Sequence, residues 1–288
     1  MEILNVLSVD VEEYFQVSAF DSAVSRSDWE SFSGRVETNV HRILQLFSKH
    51  DARATFFVLG WVARRYPGLV REIASAGHEI GSHGMAHRRI HFQPRDEFRE
   101  DVRRARDILA DQVQKPVVCF RAPSFSIVQT TLWALDVLAE EGFEIDSSIS
   151  PVRHDLYGIP NARRFPHWQR TSGGSLIFEF PPSSVRLWGN NWPFAGGGVM
   201  RLVPYSFTRR VLRRINQIEG QPGMVYFHPW EIDPEQPRIK ASLKSRFRHY
   251  VNLSKTEAKI ERLLQDFRFT TLSNACSSLE SFTSKSAA

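Results

Sequence analysis

The amino-acid sequence predicts an α/β protein with largely parallel strands. Short apolar runs alternate with longer stretches of helical periodicity, the pattern of repeated strand–helix units. Prolines open helical stretches (Pro67, Pro94) and glycines close them (Gly77, Gly142), as helix ends favour. Residues with chemistry to offer, from Asp10 to His228, fall at or just past the ends of the apolar runs. In a parallel barrel those ends share one face, and the loops there carry the chemistry.

The elements follow in chain order. Strands are predicted at 3–9, 54–59, 78–82, 117–121, 144–146, 176–180 and 224–228, and helices at 36–50, 67–76, 95–111, 130–141, 205–219 and 255–267. In the first helix Val36, Val40, Ile43, Leu44 and Phe47 recur at i, i+3, i+4 spacing and make one buried stripe. The helix over 95–111 pairs Glu100 with Arg103 and Arg104, which reads as an outer, solvated surface. Residues 151–198 are irregular, with several prolines, Trp168, Trp188, Trp192 and a glycine run at 196–198. No Lys-Ser or Lys-Thr follows those glycines, so they are not a phosphate loop. The tryptophans admit two readings, packing of a long insertion or stacking against sugar rings.

Composition narrows the class. At 288 residues the chain can bury one barrel-like core or two smaller ones. No apolar run approaches the ~20 residues that span a bilayer. The start runs straight into Ile3-Leu4-Asn5-Val6-Leu7-Ser8-Val9 without a basic leader or cleavage site, so a cytoplasmic protein is expected. Cys119 and Cys276 make no disulfide framework, and Cys119, inside an apolar run, reads as a buried inert thiol. The net charge is +5, with basic clusters at Arg209, Arg210, Arg213 and Arg214 and at Arg238, Lys240, Lys244, Arg246 and Arg248. They read either as a solvated face or as peripheral contact with a membrane, a lipid diphosphate or an anionic glycan. Nucleic acid is disfavoured, because no binding motif accompanies the charge.

His83-Gly84-Met85-Ala86-His87 places two imidazoles four residues apart, and Ser8-Val9-Asp10-Val11-Glu12 supplies two carboxylates at the end of an apolar run. His83, His87 and one carboxylate make a facial ligand set that leaves positions open for water and substrate. Metalloproteases share the histidine spacing but need a glutamate directly after the first histidine, where this chain has Gly84. Glu12 is the expected third ligand. Its rival Glu13 points to the opposite side if the strand pattern continues.

Thr55-Phe56-Phe57-Val58-Leu59-Gly60, Gly77-His78-Glu79-Ile80-Gly81-Ser82-His83, Phe120-Arg121-Ala122-Pro123, Asp146-Ser147-Ser148 and Tyr226-Phe227-His228-Pro229 follow in order. Together these resemble the motif series of the polysaccharide deacetylase superfamily, the family four carbohydrate esterases, from about Leu4 to His228. Asp10 and Glu12, separated by Val11, depart from the commoner adjacent aspartates and resemble a bacterial subgroup associated with exopolysaccharide loci. The tail Phe227-His228-Pro229-Trp230-Glu231-Ile232-Asp233-Pro234 looks like that subgroup too.

The resemblance implies a distorted (β/α) barrel of about seven strands. It implies one catalytic domain over 1–288, with an insertion at about 151–198 and a subgroup-specific extension from about 229. It makes Asp10 the general base, Arg121 the cation that holds Asp10 ionised and oriented, and His228 the general acid. Asp146 is expected to pair with His228 and raise its pKa, against a purely structural role. The expected activity is metal-dependent removal of N-acetyl groups from an amino-sugar unit of a polysaccharide or lipid-linked glycan, with zinc the first choice. The competing readings are a small-molecule amidohydrolase on the same scaffold and a non-catalytic glycan-binding protein. His78 is expected to be structural, and His91 is excluded as a ligand.

Overall fold

The computed structural model describes residues 3–279. Its strands are β1 (Asn5–Val11), β2 (Thr55–Val58), β3 (Glu79–Ser82), β4 (Cys119–Phe120), β5 (Ile145–Asp146), β6 (His167–Arg170), β7 (Leu176–Glu179), β8 (Ser184–Leu187), β9 (Asn190–Pro193), β10 (Met224–Phe227) and β11 (Phe269–Thr270). Nine of them form one sheet ordered β10-β1-β2-β3-β4-β5-β7-β6, with β11 joined to the start of β1. Every pairing in it is parallel except β6 with β7. The sheet curls into a half-barrel, open between β10 and β6, and β8 and β9 form a separate hairpin. All seven expected strands lie in the curled sheet. The additional strand β6 lacks an apolar alternation to announce it, and β11 is only two residues long.

The helices are α1 (Val36–Lys49), α2 (Gly60–Arg65), α3 (Pro67–Ser75), α4 (Arg95–Val113), α5 (Ala134–Glu140), α6 (Gly197–Leu202), α7 (Tyr205–Gln217), α8 (Leu243–Tyr250), α9 (Leu253–Asp266) and α10 (Leu272–Ser277). Among the described residues no helix is long and apolar enough to cross a membrane. Of the charge pairing expected on the outer face of α4, Arg103 meets Glu100, and Arg99, Arg103 and Arg106 reach Glu141 beyond α5.

Strand β1 is buried along its whole length, as expected for a central parallel strand covered on both faces. Its alternation divides the core. Leu7, Val9 and Val11 join the larger cluster with Val40, Ile43 and Phe47 of α1. Val6 joins a smaller cluster inside the curl with Phe57, Cys119, Ile145, Phe178 and Met224. Helix α10 adds Leu272, Ala275 and Cys276 to that inner cluster, and Leu272 N donates to Thr55 Oγ1 at the start of β2. The amino end of the curl is thereby plugged, leaving the carboxyl end as the chemically equipped face. Cys119 and Cys276 are free, buried thiols.

Candidate metal centre

Period-two alternation brings Ser8 and Asp10 to the inside of the curl, and Glu12 follows one step past the strand. Glu13 turns the other way. Its carboxylate accepts from the backbone N–H groups of Arg35 and Val36 at 2.9 and 3.1 Å and so caps the start of α1. Burial pushes the Glu13 carboxyl up to about 7, against those two hydrogen bonds.

The loop after β3 is pinned at several points. Gly60 N and Trp61 N, opening α2, donate to the carbonyls of Gly84 and Met85 at 2.8 and 2.9 Å. Asp101 of α4 accepts from Met85 N at 2.7 Å, and Arg26 donates to the carbonyls of Ala86 and His87. Gly84 has φ 73°, where a Cβ would also run into Asp101, so glycine is required there. His87 itself has φ 47°, an uncommon conformation held by these contacts.

Glu12, His83 and His87 meet as a buried triad whose ligand atoms lie within 4.8 Å of one another. His83 Nδ1 donates to the Arg121 carbonyl at 2.8 Å, which leaves Nε2 as the ligating nitrogen. Glu12 Oε2 is 2.8 Å from His87 Nε2 yet receives no hydrogen bond of good geometry, so a buried carboxylate oxygen stands without a donor. Two imidazoles and an orphaned buried carboxylate oxygen fit a divalent cation. Burial lowers His83 to about 4, keeping it neutral and ready to ligate. Burial opposes the Glu12 charge, but His87 and His228 outweigh it and bring this carboxyl down to about 2. The other Glu12 oxygen accepts from Trp230 Nε1 at 3.2 Å.

Beside the triad Arg121, fully buried, donates to Asp10 Oδ1 at 2.7 Å and to Ser8 Oγ at 2.8 Å. Its remaining donors reach Ser147 O and Ser147 Oγ at 3.2 and 3.0 Å, and its plane lies 4.2 Å over the Phe57 ring. One guanidinium from the end of β4 thus ties β1 to the turn after β5 across the curl.

His228, just past β10, faces both carboxylates: Nε2 is 3.9 Å from Asp10 Oδ2 and 3.7 Å from Glu12 Oε1. Burial lowers its pKa, but the hydrogen bond to Glu231 and the charges of Glu12, Glu231 and Asp10 prevail and raise it to about 9.

The expected pairing of Asp146 with His228 is corrected. His228 Nδ1 donates to Glu231 Oε1 at 2.7 Å, and Arg201 Nε lies 2.7 Å from Glu231 Oε2. Asp146 accepts from Ser148 Oγ and Ser148 N at 2.6 and 3.3 Å and faces Glu179, its register partner on β7. The reason is register: β5 lies next to β7, whereas β10 borders β1. Burial raises the pKa of both Asp146 and Glu179.

Sequence reasoning missed Glu231, Trp230 and Arg201. The first two stand in the His228-Pro229-Trp230-Glu231 run already singled out, while Arg201 carries no local signal. His78 packs against Phe47 and Phe56 and accepts from Ala54 N, a structural role as expected. His91 lies outside the triad, against Phe92. Trp168 packs on Phe178, which leaves Trp188 and Trp192 as the exposed members of the tryptophan set.

Residues 19–143 match the polysaccharide deacetylase family, and residues 147–277 match DUF3473, a domain of unknown function. A Bacillus cereus peptidoglycan-N-acetylglucosamine deacetylase is 32% identical over 147 residues, covering 47% of this chain and 52% of that protein. The chain therefore spans about half the length of the first curated relatives it matches. A crystal structure from Mycobacterium smegmatis, described as a polysaccharide deacetylase, superposes with TM-score 0.61 at 19% identity, over 94% of this chain and 88% of that one. Puue allantoinase superposes with TM-score 0.59 at 17% identity, over 95% and 88%. At such identities the likeness shows the fold alone. Residues 19–143 thus resemble polysaccharide deacetylases and carry His83 and His87 of the triad, and the matched DUF3473 segment covers most of the remaining chain. That segment supplies β6, β7, β10 and β11 to the shared sheet and carries His228, Glu231 and Arg201.

Proposed function

We propose that the chain is a metal-dependent hydrolase that removes N-acetyl groups from an amino-sugar unit of a polysaccharide or lipid-linked glycan. The observation that carries this reading is the placement of Asp10, paired with Arg121, and of His228 next to each other beside a buried Glu12/His83/His87 triad. A divalent cation held by the triad, with zinc favoured by the nitrogen and oxygen donors, would supply Lewis-acid polarisation and a more acidic water. Asp10, kept oriented by Arg121, takes the proton from the attacking water. His228, protonated and oriented by Glu231, delivers a proton to the departing nitrogen. Trp230 holds one Glu12 oxygen, leaving the other free to ligate.

The matched deacetylase relative and the family support an acetylated glycan as substrate, and the Asp-x-Glu spacing supports an exopolysaccharide setting. The test is acetate release from a panel of N-acetylated oligosaccharides, with and without chelator. Chelator-sensitive release is expected. Turnover of small cyclic or linear amides alone would favour the amidohydrolase reading, and oligosaccharide binding without release of acetate would favour a non-catalytic binding protein.

A further inference from the structure

Two cavities border the stretch between β5 and β8 and the β8–β9 hairpin. One, of about 700 Å³, is lined by Tyr157 and Tyr226; the Tyr226 ring stands 6.0 Å from His228, so this is the cleft beside the candidate centre. The other, of about 690 Å³, is lined by Arg153, Arg163, Arg164 and Arg186 with Asn161 and Asn191, and no acidic residue lines it. Neighbouring stretches of chain line the two cavities: Arg153 lines one and His154 the other, Asn191 one and Pro193 the other.

The charge in the second cavity is uncompensated. Arg164 is engaged by Glu219 and the Ser184 carbonyl, but among the described residues the side chains of Arg153, Arg163 and Arg186 have no ion pair or hydrogen bond. Three of the four arginines of α7 differ, since Arg209 and Arg213 approach Asp266 and Arg214 approaches Glu219. At the hairpin turn Trp188 is 88% exposed, between the lining residues Arg186 and Gly189, and Trp192 next to Asn191 is half exposed. Guanidinium forks recognise carboxylate and phosphate, amides meet hydroxyls, and open indoles stack on sugar rings.

We propose that this basic cavity binds an anionic stretch of glycan, whose carboxylate- or phosphate-bearing units continue the polymer entering the neighbouring cleft. The proposal rests on the glycan reading above. The cavity selects a charged polymer over a neutral one, at sites remote from bond cleavage.

The experiment is calorimetric titration of the His87→Ala chain, so that turnover plays no part, with hexagalacturonate, a glycerol phosphate hexamer and neutral cellohexaose. An anionic hexamer is expected to bind about tenfold or more tightly than cellohexaose, and to weaken as salt rises. The tighter of the two anionic probes identifies carboxylate or phosphate as the recognised group. Arg163→Ala/Arg186→Ala is expected to lose about tenfold in affinity for it. Trp188→Ala should weaken binding as well, and circular dichroism checks that each variant is folded. Equal binding of cellohexaose, or undiminished anion binding by the folded double variant, overturns the proposal whatever the acetate-release assay reports. Absence of acetate release with arginine-dependent binding intact would overturn the catalytic reading and keep the cavity.

Discussion

His228 and Glu231 share a hydrogen bond of 2.7 Å, and that bond orients the imidazole at the candidate centre. With Nδ1–H committed to Glu231, Nε2 faces Asp10 and Glu12. The Glu231 carboxylate is held in turn by Arg201, whose guanidinium also donates to the carbonyls of Arg248 and Val251 near the end of α8. A buried chain of charge thus runs from the centre into the DUF3473 segment, and it explains why a histidine in this interior holds its proton.

Glu231→Gln tests that chain. The variant keeps the shape but leaves Arg201 buried without its counter-charge, a loss of about 3–5 kcal/mol in stability. Deacetylation should slow by about 10–100-fold at neutral pH, the usual effect of removing an outer-shell partner. A folded Glu231→Gln protein with the parental kcat would remove Glu231 from the mechanism.

The pH dependence of stability follows from His228. Its pKa is raised in the folded protein from 6.5 to about 9, so its contribution is complete below pH 6.5 and disappears as pH climbs to about 9. Urea midpoints of chelator-treated protein should fall across that window, and His228→Gln should flatten the fall. An unchanged slope in the variant would assign the effect to other groups.

Metal content separates the two neighbouring glutamates. His83→Ala and His87→Ala should lose bound metal with the fold intact, and Glu12→Gln should bind it more weakly. Glu13→Gln should keep it, while Glu13→Ala, which removes the cap of α1, should cost about 1 kcal/mol in stability. Elemental analysis of purified variants decides; a metal-free Glu13→Gln protein would move the third ligand.

Asp10→Asn separates base from ligands. It should retain metal while the rate drops on the order of 10²–10⁴, the contribution of a positioned base. It should also melt earlier, because Arg121 is fully buried against this carboxylate. Loss of metal would make Asp10 a ligand, and near-parental turnover would assign the proton to another group.

Much of this protein is local and therefore readable in the chain. Seven strands declare themselves as apolar runs between proline and glycine punctuation, and period-two alternation after Val9 separates Asp10 and Glu12 from Glu13. The two histidines lie within one short loop, so their meeting needs no distant element. The strands β6 and β9 escaped because His167–Arg170 and Asn190–Pro193 are rich in polar, tryptophan and proline residues rather than alternating, and β8 because the alternation of Ser184–Leu187 lasts only four residues. Helices α2, α6 and α10 are six residues each, too short for helical periodicity to emerge. Glu231 meets His228 locally, three residues along one short turn, but the longer-range charged partners were decided by the tertiary structure. Whether Asp146 can reach His228 depends on which strand lies beside which in the curled sheet, and register gives Asp146 to Glu179. Arg201 reaches Glu231 from 30 positions away in the chain because folding stacks α6 and the end of α8 behind β10, where a buried carboxylate must find a cation.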